Sequence, residues 1–366
     1  SLIITGNDVT VICRNGYHNI LDRPAMTVSG TYEEIKYVYA SGSCFRSKHF
    51  LKRRLNQIKG KINEFLILWK YKRNNNLDYT FLYTRNIYLV LYYRILSKAF
   101  GFKTILNYVE YYSAMKKRRI QIWKQLNDKL FDRYAPLITD AVLPISEFLI
   151  QHIKKASPNI KYLKIPVLTD FERSHGIKSI QSKRYFLFCG HAAYKEIIEF
   201  IIDSFSILND ASVFLYLVVN GSENEMSKIE NYVKKDIKKD NIKIFSKLSE
   251  KQLFTFYKSA IALLIPLRPT FQDTARFPHK TGEYLASGNP VISTNYGEMK
   301  YYFKDKENML LAESYDRNLF TEKMQFVITH PLEAQRIGYK GKTFASDIFD
   351  YVNVAQHIND FLNSLK

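Results

Sequence analysis

Residues 276–292 read Arg276-Phe277-Pro278-His279-Lys280-Thr281-Gly282-Glu283-Tyr284-Leu285-Ala286-Ser287-Gly288-Asn289-Pro290-Val291-Ile292. An apolar run over 261–266 precedes this stretch and is expected to be a buried strand. An irregular loop follows it, then a helix over 280–287 with Pro278 suited to the first turn. The run 290–293 reads as the next strand. Strand, loop, helix and strand in this order form the repeating unit of a parallel sheet covered by helices. At the carboxyl edge of such a sheet, free backbone N–H groups and the helix dipole favour an anion. Lys280 adds a positive charge there, and Glu283, one turn further on, can accept two hydroxyl hydrogen bonds, as from a ribose.

The same alternation extends outward in both directions. Strands are also expected at 185–189, 212–219 and 243–245, with helices at 195–208, 225–238, 250–259, 317–328, 331–345 and 351–365. Upstream, strands are expected at 9–13, 35–39, 79–83, 103–108, 141–144 and 162–165, and helices at 48–72, 87–100, 119–134 and 147–155. The chain of 366 residues is long enough for two cores. The expected fold class is therefore α/β, with two doubly wound Rossmann-like domains facing a cleft. Residues 1–168 would form an N-terminal, acceptor-side domain, 169–183 a polar linker and 184–345 a C-terminal domain. Residues 346–366 would form a helix packing back on the first domain. The chain opens on a helix tail, a Gly6 turn and a strand, whereas a doubly wound domain opens on a strand. The first strand of the N-terminal domain is thus expected to be missing from this chain.

The formal charge of +19 is uneven, with 28 Lys and Arg against 12 Asp and Glu in residues 1–170. Three clusters carry it: Lys52 to Arg54, Lys70 to Arg73 and Lys116 to Arg119. They suit an anionic surface, the inner leaflet of a membrane or nucleic acid, and each alone also fits a solvated helix face. Cys13, Cys44 and Cys189 show no CxxC spacing, so neither a disulfide framework nor a zinc site is suggested and a cytoplasmic location is expected. The most apolar stretch, 87–100, is interrupted by Arg94 and Lys98 and is too short to span a bilayer, so any membrane contact is expected to be peripheral. P-loop, GxGxxG, HExxH, GxSxG and DxD motifs are all absent from the sequence.

The string from Arg276 to Ile292 resembles the donor-site signature of retaining glycosyltransferases of the B fold, group 1 or family 4-like, in the variant FPxKxxEYLAxGxPV found in bacterial surface-polysaccharide assembly. The likeness extends to the Gly190 loop, to 241–249 and to 337–349. It implies that Glu283 holds the ribose of a nucleoside diphosphate sugar and that Arg276, Phe277, Pro278 and Lys280 lie against its diphosphate and sugar. It implies further donor contacts from Gly190, His191 and Lys195 in the first turn of the C-terminal domain, and from Leu248. That turn normally supplies an arginine and a lysine. Lys195 matches the lysine, no arginine is present, and His191 is the nearest basic residue. The first glutamate of the family's pair falls at Ala275, with Asp273 or Arg276 as candidate substitutes.

In the N-terminal half, Arg85 and Glu110 both follow expected strands and are candidates for the acceptor side. A carboxylate at Glu110 can orient or deprotonate an acceptor hydroxyl. Lys195 and Lys280 would stabilise the departing diphosphate. The resemblance implies a retaining hexosyltransferase that uses a nucleotide sugar as donor substrate with no other cofactor. The missing DxD string removes the metal-binding mark of the other main glycosyltransferase fold, so no metal is expected. Its partners would be a lipid-linked or glycan acceptor and an anionic membrane, with no nucleic acid. A non-hydrolysing sugar-nucleotide epimerase of the same fold and a basic non-catalytic binding protein are the alternatives.

Overall fold

Apolar runs become strands almost where their periodicity puts them. The computed structural model describes residues 2–18, 26–115, 121–180 and 183–366. The chain divides into two α/β units, one of Ser1–Asn107, Tyr134–Val142 and Ala355–Lys366, the other of Tyr108–Arg133 and Leu143–Val354.

In the first unit, β1 (Thr10–Cys13) pairs in parallel with β3 (Ile35–Tyr39), and β2 (Ser29–Tyr32) joins β3 as an antiparallel hairpin. The turn residues Glu33 and Glu34 have φ of 45° and 67°, the left-handed pair that matches strand twist in tight hairpins. Helix α1 (Phe50–Arg73) follows. Gly60 lets it approach closely, since a Cβ there would lie 2.4 Å from the Arg14 carbonyl oxygen. Buried Glu64 of α1 pairs with Arg14 and accepts from Tyr93 Oη at 2.5 Å. A second sheet contains β4 (Tyr79–Leu82), β5 (Lys103–Tyr108) and β6 (Ala141–Pro144), in that order. Between β4 and β5 runs α2 (Ile87–Phe100), capped by Asn86 and stopped by Gly101 at φ 77°. Asp140 accepts from the Thr104 N–H, Thr104 Oγ1 and Arg94, and Tyr79 Oη donates to the Leu362 carbonyl.

Two expectations change here. Residues 162–165 run extended without forming a strand. Ile165 N–H donates to the Pro144 carbonyl, but Pro166 next to it has no N–H to continue a ladder. Among the described residues the N-terminal strands also lie in two three-stranded sheets, not in one continuous sheet. The cluster Lys116 to Arg119 lies outside the described residues.

The second unit opens with the 3₁₀ turn Tyr112–Ala114 and includes most of α3 (Ile122–Ile138) and all of α4 (Glu147–Ala156). Its centre is a six-stranded parallel sheet of β7 (Tyr185–His191), β8 (Phe214–Asn220), β9 (Ile242–Phe245), β10 (Ala262–Ile265), β11 (Val291–Thr294) and β12 (Leu310–Ala312). Its connecting helices are α5 (Lys195–Ile207), α6 (Glu223–Lys234), α7 (Glu250–Ser259), α8 (Phe271–Ala275), α9 (Lys280–Ala286) and α10 (Met299–Tyr302). Helices α11 (Arg317–Thr329), α12 (Pro331–Phe349) and α13 (Tyr351–Asn363) close the chain. One face of the sheet, through Phe186, Phe188, Leu215, Leu217, Leu264 and Ile292, forms a buried cluster with the apolar faces of α5, α6 and α11. The spatial order is β12-β11-β10-β7-β8-β9. The chain therefore lays strands to one side of β7, then returns and lays the rest to the other. That reversal opens a crevice at the carboxyl ends of β7 and β10.

Candidate functional site

Gly190, His191 and Lys195 leave the end of β7 on one side of this crevice. A Cβ on Gly190 would lie 2.6 Å from the Phe188 ring, so any larger residue there would have to displace that ring. His191 Nδ1 accepts from the Ala193 N–H at 3.1 Å and caps the turn into α5. Lys195 pairs with Glu199 one turn along α5 at 2.5 Å.

On the other side, the chain leaving β10 turns through Arg268 into α8. Asp273, fully buried, accepts from the Arg268 N–H, Nε and Nη2 at 2.9, 2.8 and 3.1 Å, and pairs with Arg276 at 2.9 Å. Arg268 reaches on to Glu196 of α5 at 2.8 Å, and its hydrogen bonds to Asp273 hold its pKa above the usual arginine value. Arg276 Nη1 donates to Tyr194 Oη at 3.0 Å, its guanidinium stands over the Tyr194 ring at 4.9 Å, and its buried Nε has no partner. The switch-point crevice is thus bridged by two guanidinium groups clamped by one carboxylate. Asp273 is taken up by that clamp and exposes no oxygen, which does not suit it to substitute for the glutamate that the resemblance expects at position 275, where Ala275 is itself fully buried.

The next segment anchors and then presents Glu283. Phe277 is buried, its ring stacked on Tyr302 at 5.3 Å, so it fixes the loop by packing, and Pro278 leads into α9. In α9, Lys280 Nζ donates to Glu283 Oε2 at 2.8 Å and to Tyr257 Oη at 3.0 Å, and Tyr257 Oη also bonds the same Oε2 at 3.1 Å. This three-way contact fixes one carboxylate oxygen and orients the other. Cys189 adjoins the group, and burial pushes its thiol pKa up, which keeps it neutral. Glu283 also lines a cavity of about 180 Å³ together with Thr169, Asp170, Arg173, Phe254 and His279. Its Arg173 makes a two-pronged ion pair with Glu250, at 2.5 and 2.9 Å. Gly282 permits this arrangement, because a Cβ there would fall 1.8 Å from Thr169 Oγ1. Leu248 is half-buried in the loop before α7, whose first turn is closed by the Ser249–Gln252 capping box.

Glu110 lies half-buried after β5, in a loop pinned by Asp132, which accepts from Tyr108 Oη and from the N–H groups of Tyr112 and Ser113. The turn Tyr112–Ala114 packs against α8, which brings the Glu110 loop to the segment bearing Asp273 and Ala275. A further tie runs from α4, where the capping residue Ser146 donates to the Ala275 carbonyl at 2.7 Å. Glu298, wholly buried, accepts from the Glu147 N–H at 2.7 Å and pairs with Lys164 at 2.7 Å; burial pushes its carboxyl pKa up against the pull of Lys164. Arg85 belongs to the first unit, directly before the α2 cap.

Sequence reasoning did not single out Tyr194, Tyr257, Ser146 or the cavity residues Thr169, Asp170 and Arg173. Tyr194 beside Lys195 and the hydroxyl of Ser146 ahead of an expected helix were the available signals. Nothing local marks Arg173. Among the described residues, no cluster of three or more His, Cys, Asp or Glu is placed to hold a metal ion.

Residues 170–344 match the family described as glycosyl transferases group 1. No curated protein matches the chain by sequence. Among solved structures, the chain is similar to a sucrose-phosphate synthase from Thermosynechococcus elongatus, with TM-score 0.75, 16% identity and coverage of 100% of this chain and 90% of that one. A glycosyltransferase from Rickettsia africae ESF-5 gives TM-score 0.70 and 14% identity over 99% of this chain and 91% of that one. HepE from Anabaena, in complex with UDP-glucose, gives 0.63 and 12% over 83% of each chain. At these identities the likeness shows a shared fold.

Proposed function

We propose that this chain, a glycosyltransferase enzyme of the B-fold superfamily, moves a sugar from a nucleoside diphosphate sugar to an acceptor hydroxyl with retention of configuration. The observation that carries the reading is that the Arg268–Asp273–Arg276 clamp and the Lys280–Glu283 pair both follow β10, beside β7 at the switch point where α/β sheets take phosphate-bearing ligands. In this reading the donor domain is 184–345, the acceptor-side domain 1–168 and the linker 169–183, with 346–366 closing the chain against the first domain.

Glu283 binds the ribose hydroxyls through the oxygen that Tyr257 and Lys280 leave open. Arg276, through its unpartnered Nε, and Lys280 meet the charge that grows on the diphosphate as the sugar–phosphate bond breaks. The Asp273 clamp holds Arg276 in place beforehand, so little reorganisation accompanies the reaction. Gly190, His191 and Lys195 border the diphosphate from the β7 side. Leu248 lies toward the base, and Phe277 and Pro278 shape the loop beside the sugar. Glu110 orients the acceptor hydroxyl and accepts its proton, with Arg85 on the acceptor side. Retention is taken from the sequence resemblance, as is a role in bacterial surface-polysaccharide or lipopolysaccharide assembly at the cytoplasmic face of the membrane. The charge excess of residues 1–170 suits a lipid-linked acceptor at an anionic surface.

The UDP-glucose held by the Anabaena protein makes UDP-glucose the first donor to test. A ligand that binds only the native state raises the melting temperature. Selective stabilisation by one nucleoside diphosphate sugar, lost in Glu283→Ala, supports the reading. No stabilisation by UDP-, GDP-, dTDP- or CMP-linked sugars overturns it.

A further inference from the structure

Helix α1 is amphipathic twice over. Its buried face, with Gly60, Glu64 and Leu68, is held in the first unit by the Arg14–Glu64 pair, by Tyr93 and by the Asn63 bond to the Ala40 carbonyl. On the opposite face Leu51, Leu55, Ile58, Ile62, Leu66 and Trp69 are between 48% and 75% exposed. Their spacing of three and four residues, at roughly 100° per residue, stacks them in one stripe along the helix. Soluble helices point such a stripe inward. Here it points away from the core that the other face already contacts.

Charge flanks the stripe on both sides. By the same rotation, Lys52, Lys59 and Lys70 border one edge and Arg54, Lys61 and Lys72 border the other, and all six are exposed. The helix contains one acidic residue, Glu64, which is buried and paired with Arg14. No anion of this chain answers the two basic rows on the helix itself. No described helix is long and apolar enough to cross a membrane, so α1 is not a span. An apolar strip between two cationic rows matches a surface that is apolar beneath an anionic layer, which is the layering of an anionic bilayer.

We propose that α1 lies in the headgroup region of an anionic membrane, with Leu51 to Trp69 inserted among the upper acyl segments and the two basic rows on lipid phosphates. This rests on the reading that the enzyme works at a membrane, and it names the element that holds it there. Charge brings the chain to the surface and the apolar stripe retains it, so salt weakens capture more than it reverses insertion.

The full chain carrying Trp123→Phe leaves Trp69 as the single tryptophan reporter, since the sequence has two. It is mixed with phosphatidylcholine vesicles with and without phosphatidylglycerol. The expected result is a blue shift of Trp69 emission, with quenching by brominated acyl chains, only when the anionic lipid is present. Ile58→Glu with Ile62→Glu is expected to lower vesicle partitioning by about tenfold or more. Both positions are exposed, so donor-induced thermal stabilisation should be unchanged, which shows that the fold is intact. Binding to anionic vesicles with Trp69 emission unshifted and the double variant binding equally well would overturn α1 as the docking element while leaving the membrane reading standing. If neutralising Lys116 to Arg119 then abolished that binding, the contact would belong to that cluster. No binding to anionic vesicles at all overturns both. A wild-type dimer in sedimentation that the double variant dissociates would assign the stripe to a second copy of the chain instead.

Discussion

The Arg276 guanidinium stands 4.9 Å from the centroid of the Tyr194 ring and donates to its hydroxyl at 3.0 Å, across 82 residues of sequence. The sequence resemblance implies an arginine in the turn that leaves β7, and this chain has none there. Arg276, from the facing loop, brings a guanidinium to the same turn.

Arg276→Ala should therefore lower kcat/KM for the donor by about a hundredfold, the scale of losing one preorganised charged donor to a developing anion. Arg276→Lys should recover only part of this, because lysine keeps the charge but loses the planar fork that meets Asp273 and Tyr194 together. Steady-state kinetics with varied donor check both. Wild-type donor kinetics in the alanine variant would remove Arg276 from the diphosphate.

Tyr257 tests the other half of the site. Its hydroxyl touches both Lys280 Nζ and Glu283 Oε2, so Tyr257→Phe leaves the Lys280–Glu283 pair but frees the carboxylate to rotate. Donor affinity, read by calorimetry, should fall by roughly fivefold to tenfold for about 1 kcal/mol of lost orientation. A loss as severe as that in Glu283→Ala would mean that the hydroxyl itself binds donor.

Much of this was legible from order along the chain. The strand, loop and helix around Glu283 lie within one short stretch, so periodicity and Pro278 set them. The Lys195–Glu199 pair is an i,i+4 relation readable on any helix. What stayed hidden depends on strand order. Arg276 meets Tyr194 because β10 lies beside β7, and Arg173 meets Glu250 across 77 residues, facts with no local signature. The hairpin strand β2 was missed because all four of its residues are exposed and show no alternation. The run 162–165 was apolar enough to suggest a strand, yet Pro166 ends its ladder.

Ser146 joins helix capping to the loop that bears Arg276. Its hydroxyl accepts from the Leu149 N–H and donates to the Ala275 carbonyl, one residue before Arg276. Ser146→Ala should cost about 1–2 kcal/mol of stability and leave a buried carbonyl unpaired. It should lower kcat more than it raises the donor KM, because Arg276 then loses its fixed placement, and Ser146→Thr should restore most of the rate. A stability loss without any change in kcat would reduce Ser146 to a cap.

Asp140 sets a pH limit on the first unit. Burial alone would raise its carboxyl pKa, but the Thr104 N–H and hydroxyl and the Arg94 guanidinium reverse this and hold it below the ordinary value of 3.8. A folded pKa below the unfolded one means that the unfolded chain binds the proton more readily. The stabilisation is therefore complete above the unfolded pKa and is lost as pH falls through the folded one. Asp140→Asn removes the charge while keeping the shape. At neutral pH the wild type should exceed the variant by about 1.5–3 kcal/mol in urea unfolding, the range for hydrogen bonds to a charged group. The difference should shrink steadily below about pH 4. A gap that stays constant from neutral to acid pH would show that the amide fails for steric reasons and that the Asp140 charge contributes nothing to holding β5, Arg94 and β6 together.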